Sequence, residues 1–170
     1  MEFRALAASD AAAVGRLAEE RHPPELAQSE EDIAYALDLA RRGGLNYSLG
    51  LFSPEGRLRA YLLAWVQPSL IQDRLESVVF LEDLYLPPSL ERHFGDFLEL
   101  LMEALHQDRR EHLDWETVVD PEGLDLALDH FDLLAESGYH LDACAHLDGV
   151  VPGLPLTWLH FAAGEVVEDD

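Results

Sequence analysis

Apolar residues recur along this chain with two periods. Around Tyr47–Leu51 they fall at every second position, and around Leu90–Leu105 at every third or fourth. The first spacing predicts strands half covered by a core, the second amphipathic helices. The first strand is predicted over Glu2 to Leu6. Ser9 is placed to cap a helix running to about Arg21, with Asp10 in its first turn and Val14, Leu17 and Ala18 as its inner stripe. Pro23-Pro24 ends it. Ser29 opens a second helix, with Glu30, Glu31 and Asp32 at its positive end and Arg41 and Arg42 at its negative end. Ile33, Leu37 and Ala40 face inward, and Gly43-Gly44 stops it.

A hairpin follows. Tyr47, Leu49 and Leu51 alternate, Ser53-Pro54-Glu55-Gly56 turns, and the partner strand runs from Leu58 until Pro68 breaks it. Residues Ser77 to Leu86, SVVFLEDLYL, form a further strand, apolar enough to be covered on both faces. After Pro87-Pro88-Ser89 a long helix runs to about His106, its stripe including Leu90, Phe94, Phe97 and Leu101. Leu113 to Val119 is a strand. Pro121 begins a helix that buries Leu124, Ala127, Leu128, Phe131, Leu134 and Ala135 and stops at Gly138. Tyr139 to Leu147 and Leu156 to Ala162 are the last two strands. A Gly- and Pro-rich connection from Asp148-Gly149 joins them, and an acidic tail, 165–170, follows. This order predicts an α/β domain over residues 1–164, with no linker dividing it.

Charge changes the picture more than size does. Eleven basic residues, all arginine, stand against 34 acidic ones, a net charge of −23. Such a field repels phosphate backbones, which argues against nucleic acid as a partner, and attracts cations. An acid excess also serves solubility alone. The N-terminus, MEFRALAASD, has no basic segment followed by an apolar one, and no apolar run is long enough for a membrane span, so a cytoplasmic protein is expected. The one cysteine, Cys144, allows no internal disulfide.

The element order resembles the GNAT superfamily of acyl-CoA-dependent N-acetyltransferases, from about Glu2 to Ala162. Glu82-Asp83-Leu84-Tyr85-Leu86-Pro87-Pro88 resembles the family's central strand and its exit, E-D-L-Y-V-x-P. Phe131 to Tyr139, FDLLAESGY, resembles a helix ending in x-x-x-G-[FY], and the last two strands stand where the family has its closing hairpin. The resemblance implies a mixed, mostly antiparallel sheet of about seven strands flanked by about four helices. It implies acetyl-CoA as co-substrate and a primary amine, on a small molecule or peptide, as acceptor. It also leaves a homodimer open.

The same resemblance assigns roles. Glu82 stands where the family often has a glutamate base, which would deprotonate the incoming ammonium. Alternation puts Asp83 on the opposite face, so one of the pair serves. The backbone of Leu84 and Leu86 would meet the pantetheine arm. The pyrophosphate loop, [RQ]-x-x-G-x-[GA] in the family, corresponds to Arg92, His93, Phe94, Gly95 and Asp96. Only Gly95 and Arg92 fit it; Phe97 replaces a small residue, and Glu91 and Asp96 bring negative charge beside a pyrophosphate. Leu134 occupies the position of the family's proton-donating tyrosine. These departures set a second expectation beside the enzyme: a non-catalytic module of the same shape. Its mark would be Phe94 or Phe97 filling the phosphate space.

His140, Asp142, Cys144 and His146 alternate on one strand, all of metal-ligand type. Neighbours two apart are about 7 Å from each other, so two adjacent members could chelate one ion but four could not, and a full site would need ligands from another strand, such as His160. A polar strand face towards water, with Leu141, Ala143, Ala145 and Leu147 inward, is the favoured reading, and no metal is expected. His106 and His112, with Arg109 and Arg110, suit the negative end of the long helix.

Overall fold

The computed structural model describes residues 1–22, 28–71 and 73–164. Its elements run in the predicted order: β1 (Glu2–Ala5), α1 (Ala11–Arg21), α2 (Glu30–Arg42), β2 (Leu49–Phe52), β3 (Leu58–Ile71), β4 (Arg74–Tyr85), α3 (Phe94–Gln107), β5 (Trp115–Val119), α4 (Pro121–Asp129), α5 (Phe131–Glu136), β6 (Tyr139–Val151) and β7 (Leu154–Ala163). The seven strands form one mixed sheet in the order β1-β2-β3-β4-β5-β7-β6. The β4–β5 pair is parallel, whereas β1–β2, β2–β3, β5–β7 and β6–β7 are antiparallel. The chain falls into two compact units, Met1–Val66 with Glu82–Leu105, and Gln67–Leu81 with His106–Asp170. Pro23-Pro24 and the acidic tail lie outside the described residues.

In the first unit, α1 and α2 lay Val14, Ala18, Ile33 and Leu37 on a core shared with Leu6, Phe52 and Tyr61. Each fully buried aliphatic side chain contributes about 1.5–3 kcal/mol relative to exposure. Ser29 caps α2 as its sequence predicts, its Oγ accepting the Asp32 N–H at 3.1 Å. Gly50 is fixed by packing: a Cβ there would stand 2.7–2.8 Å from side-chain atoms of Leu6, Phe52 and Leu58. In the same unit α3 buries Phe94, Phe97, Leu98, Leu101 and Leu105, the predicted stripe.

Four expectations are corrected. Ser9 does not cap α1. A 3-10 turn over Ala8–Asp10 precedes that helix, because the Asp10 carboxylate, held by Arg4 at 3.0 Å, accepts the Ala7 N–H at 2.9 Å. Pro68 does not break its strand. Even-numbered residues of β3 direct their backbone towards the β2 side, as in Val66 N–H to Leu45 O at 3.0 Å. Pro68 continues that set one step past that bond, where among the described residues no ladder partner needs the N–H it lacks.

The predicted helix from Pro121 is two. His130, at φ −113° and ψ 19°, interrupts it. Asp120 caps α4 through the Gly123 N–H at 2.8 Å, but α4 buries no residue and Leu128 is 55% exposed, so no apolar stripe holds one long helix together. Finally, β6 runs on to Val151 with irregular pairing at Leu141/Ala143 and Leu147/Val151. The first irregularity disturbs the alternation, and Ala145, expected inward, is exposed along with Asp142, Cys144 and His146.

Candidate active site

β4 and β5 are paired in parallel from Val79↔Trp115 to Leu81↔Thr117. The strand β4 continues past that ladder as Glu82–Tyr85, within the first unit. This stretch carries the sequence-predicted base and, one residue after it, a cluster that sequence reading did not anticipate.

Asp83 is its centre. Oδ2 accepts the Tyr61 hydroxyl at 2.5 Å, and Oδ1 lies 2.9 Å from His22 Nε2 and 3.9 Å from Arg21 Nε. Oδ1 also accepts the Leu84 N–H at 2.9 Å. Burial, followed by the Asp83 charge and hydrogen bond, pushes the Tyr61 hydroxyl far above the ordinary tyrosine range, so it stays a donor. Tyr85 stacks on Tyr61 with ring centroids 5.9 Å apart, and its hydroxyl donates to Glu20 at 3.0 Å. The C-terminal turn of α1, with His22 just after it, is thereby fastened to β3 and β4.

Glu82 stands apart from this network. Its Oε1 accepts from Gln28 Nε2 at 2.8 Å. Burial pushes its carboxyl upward, the negative charge of Asp83 adds to the rise, and the Gln28 hydrogen bond opposes it. A carboxylate raised in this way, with an amide rather than a cation as its hydrogen-bond partner, has the character of a general base. Asp83, surrounded by three side-chain partners and a backbone N–H, has the character of an anchor. The sequence signal that could have revealed the anchor is Arg21-His22, two adjacent basic residues ending a helix in a chain poor in positive charge.

The proposed phosphate loop is more ordered than an open loop. Pro88–His93 forms 3-10 turns that lead directly into α3, with Pro88 at the start. The Leu90 N–H is bonded to Pro87 O and the Phe94 N–H to Glu91 O. Arg92 turns back to donate to Ser89 O at 2.8 Å, and His93 Nδ1 pairs with Asp96 Oδ2 at 3.0 Å. Phe94 and Phe97 are both buried; Phe97 meets Phe3 edge to face at 4.9 Å, which sends its ring into the core of the unit. Leu84 and Leu86 are both partly buried, and the Leu84 N–H is already taken by Asp83.

In the second unit Leu134, where the resemblance expects a proton donor, is a buried core residue. The β6 histidines do not converge: His140 Nδ1 lies 3.0 Å from Gly164 O, and His146 is exposed. Among the described residues no three His, Cys, Asp or Glu side chains are grouped to hold a metal ion. No described helix is long and apolar enough to cross a membrane.

No protein-family model matches the sequence, and no curated protein is significantly similar to it. Solved structures are similar in fold. A GNAT-family acetyltransferase from Streptococcus pneumoniae superposes with a TM-score of 0.66 at 12% identity, over 96% of this chain and 99% of that one. A GNAT-superfamily phosphinothricin acetyltransferase from Sinorhizobium meliloti, solved with AcCoA, gives 0.60 at 16% identity, over 99% and 91%. The yncA protein of Salmonella typhimurium, a putative acetyltransferase solved with its cofactor acetyl-CoA, gives 0.63 at 17%, over 100% and 98%. This chain therefore has the GNAT fold, as its element order predicts.

Proposed function

We propose that residues 1–164 act as one acetyl-CoA-dependent N-acetyltransferase domain whose acceptor is a primary amine on a cationic small molecule or peptide. The observation that carries this reading is Glu82: a partly buried carboxylate whose pKa is raised by burial, on the strand whose E-D-L-Y sequence resembles the family's central strand. The net charge of −23 favours a cationic acceptor. In this reading Glu82 takes a proton from the incoming ammonium. The amine nitrogen then bonds to the thioester carbonyl carbon, the C–S bond breaks so that CoA leaves as thiolate, and the second proton shed by the nitrogen passes to that thiolate or to water. A thiol near the cysteine value of about 8.5 leaves readily as its anion, so the leucine at 134 does not forbid the reaction. At Leu84 a pantetheine amide would bond to the carbonyl, because the N–H is engaged. Gly95 and the start of α3 would face the pyrophosphate, with Arg92 and His93 giving up Ser89 and Asp96 to reach it.

The second reading is a GNAT-shaped module without turnover. It is favoured by the closed 3-10 turns at Pro88–His93 and by the pairing of His93 with Asp96. Phe94 and Phe97, either of which would fill the phosphate space in this reading, are both buried. Thiol release from acetyl-CoA in the presence of spermidine, an aminoglycoside or a lysine-rich peptide tests between them. The enzyme reading predicts amine-dependent release that falls about 10²–10⁴-fold in Glu82→Gln. Release that is equal in that variant, or absent with every amine, goes against it.

A further inference from the structure

The second unit contains a buried polar cluster that the proposed chemistry does not use. His160 on β7 and Glu116 on β5 are directly opposed in the antiparallel ladder. They are 3% and 5% exposed. His160 Nδ1 lies 3.1 Å from Glu116 Oε1, and Nε2 lies 2.9 Å from Asp114 Oδ2. Ser69 Oγ, on β3, donates to both Glu116 oxygens at 2.9 and 3.0 Å. Asp114 Oδ1 accepts the Ala163 N–H at 2.9 Å.

We propose that Asp114, Glu116, His160 and Ser69 form a pH-sensitive lock, closed while His160 holds a proton on each ring nitrogen, that ties β5 to β7 and to the Ser69 segment of β3. Both ring nitrogens face carboxylates, so only the doubly protonated ring satisfies both with donors. When one proton leaves, a lone pair faces a carboxylate, that of buried Glu116 or of partly buried Asp114, and Glu116 keeps Ser69 as its donor. The charged groups acting on the ring are Asp114 and Glu116. The residue opposite it on β6 is uncharged Ala143. The acids of α4, which packs on β7, are Glu122, Asp125 and Asp129, and all three are exposed. The Trp158 ring, 5.8 Å away, is neutral.

Burial alone would lower the affinity of His160 for its proton, but the hydrogen bonds that Asp114 and Glu116 accept, together with their charges, outweigh it and the net direction is upward from 6.5. A group raised on folding lends its stability in full below its unfolded value. That stability drains as pH climbs from 6.5 through the folded value. Across that window the opening of the locked strands grows by up to about tenfold per pH unit, then levels off.

Nitrogen-15 NMR of the His160 ring and hydrogen exchange of β5 and β7 amides, corrected for intrinsic rates, test this from pH 5 to 10 on the full chain. The expected result is a ring midpoint above 6.5, with both nitrogens protonated below it, and protection that falls as the pH approaches that midpoint. In Glu116→Gln the carboxylate is gone, so the midpoint moves down and the fall in protection moves with it. Should that variant not fold, Asp114→Asn removes the other carboxylate and carries the same expectation. A parent midpoint at or below 6.5 overturns the lock. So does protection that follows the same pH course in the parent and the variant.

Discussion

The Tyr61 hydroxyl donates to Asp83 Oδ2 at 2.5 Å, joining the buried middle of β3 to the end of β4. His22 reaches the other Asp83 oxygen. The three side chains fasten the end of α1 beside the candidate base. Tyr61→Phe removes one donor to a charged acceptor that keeps its other partners. It is expected to cost about 1.5–3 kcal/mol in urea unfolding. A cost near zero would show that Asp83 is not an anchor.

In the proposed reading, Glu82 sets the acid limb of activity. Its carboxyl is raised, and only the ionised form accepts a proton, so kcat/KM should rise with pH through a midpoint above 4.5, the ordinary value. Glu82→Gln should remove that limb while leaving acetyl-CoA affinity unchanged. A limb that persists in the variant would assign the base elsewhere.

Phe97 replaces a small residue of the resembled motif yet lies in the core at 1% exposure, edge-on to Phe3. Phe97→Ala should therefore act on stability, costing about 3–5 kcal/mol. Chemical denaturation checks it. A loss below about 1 kcal/mol, with tighter cofactor binding, would mean the ring obstructs the phosphate space.

Acids near the loop should oppose the cofactor. Asp96 holds His93, and Glu91 lies one turn earlier. Asp96→Asn removes a negative charge and releases the imidazole. Acetyl-CoA should then bind about threefold to tenfold more tightly, up to 1.4 kcal/mol. Calorimetry on the parent and the variant reads this directly.

The element order was legible because each element carries its own signal. Ser29, Gly43-Gly44 and the Ile33, Leu37, Ala40 stripe delimit α2, and the α3 stripe from Phe94 to Leu105 gives both its length and its inner face. Pro68 misled because its cost depends on which side of β3 has a partner, which periodicity does not encode. The single helix from Pro121 misled because an apolar stripe reveals potential to bury and not what is there to bury it. At the candidate site, the motif singled out Glu82, and the structure adds its burial and its Gln28 partner. The Asp83 network was not legible: Tyr61, His22 and Asp83 are brought together from three elements, and no local spacing joins them. The Asp114–His160–Glu116 cluster was hidden likewise, since its residues meet only once β5 and β7 pair.

Acetyl-CoA binding by calorimetry, at low and moderate salt, tests the central claim most directly. The account predicts saturable binding that tightens as salt screens repulsion between an anionic ligand and a chain of charge −23, with Glu82→Gln binding equally well. No heat of binding at millimolar cofactor in either salt would contradict it and leave the GNAT fold here serving another ligand.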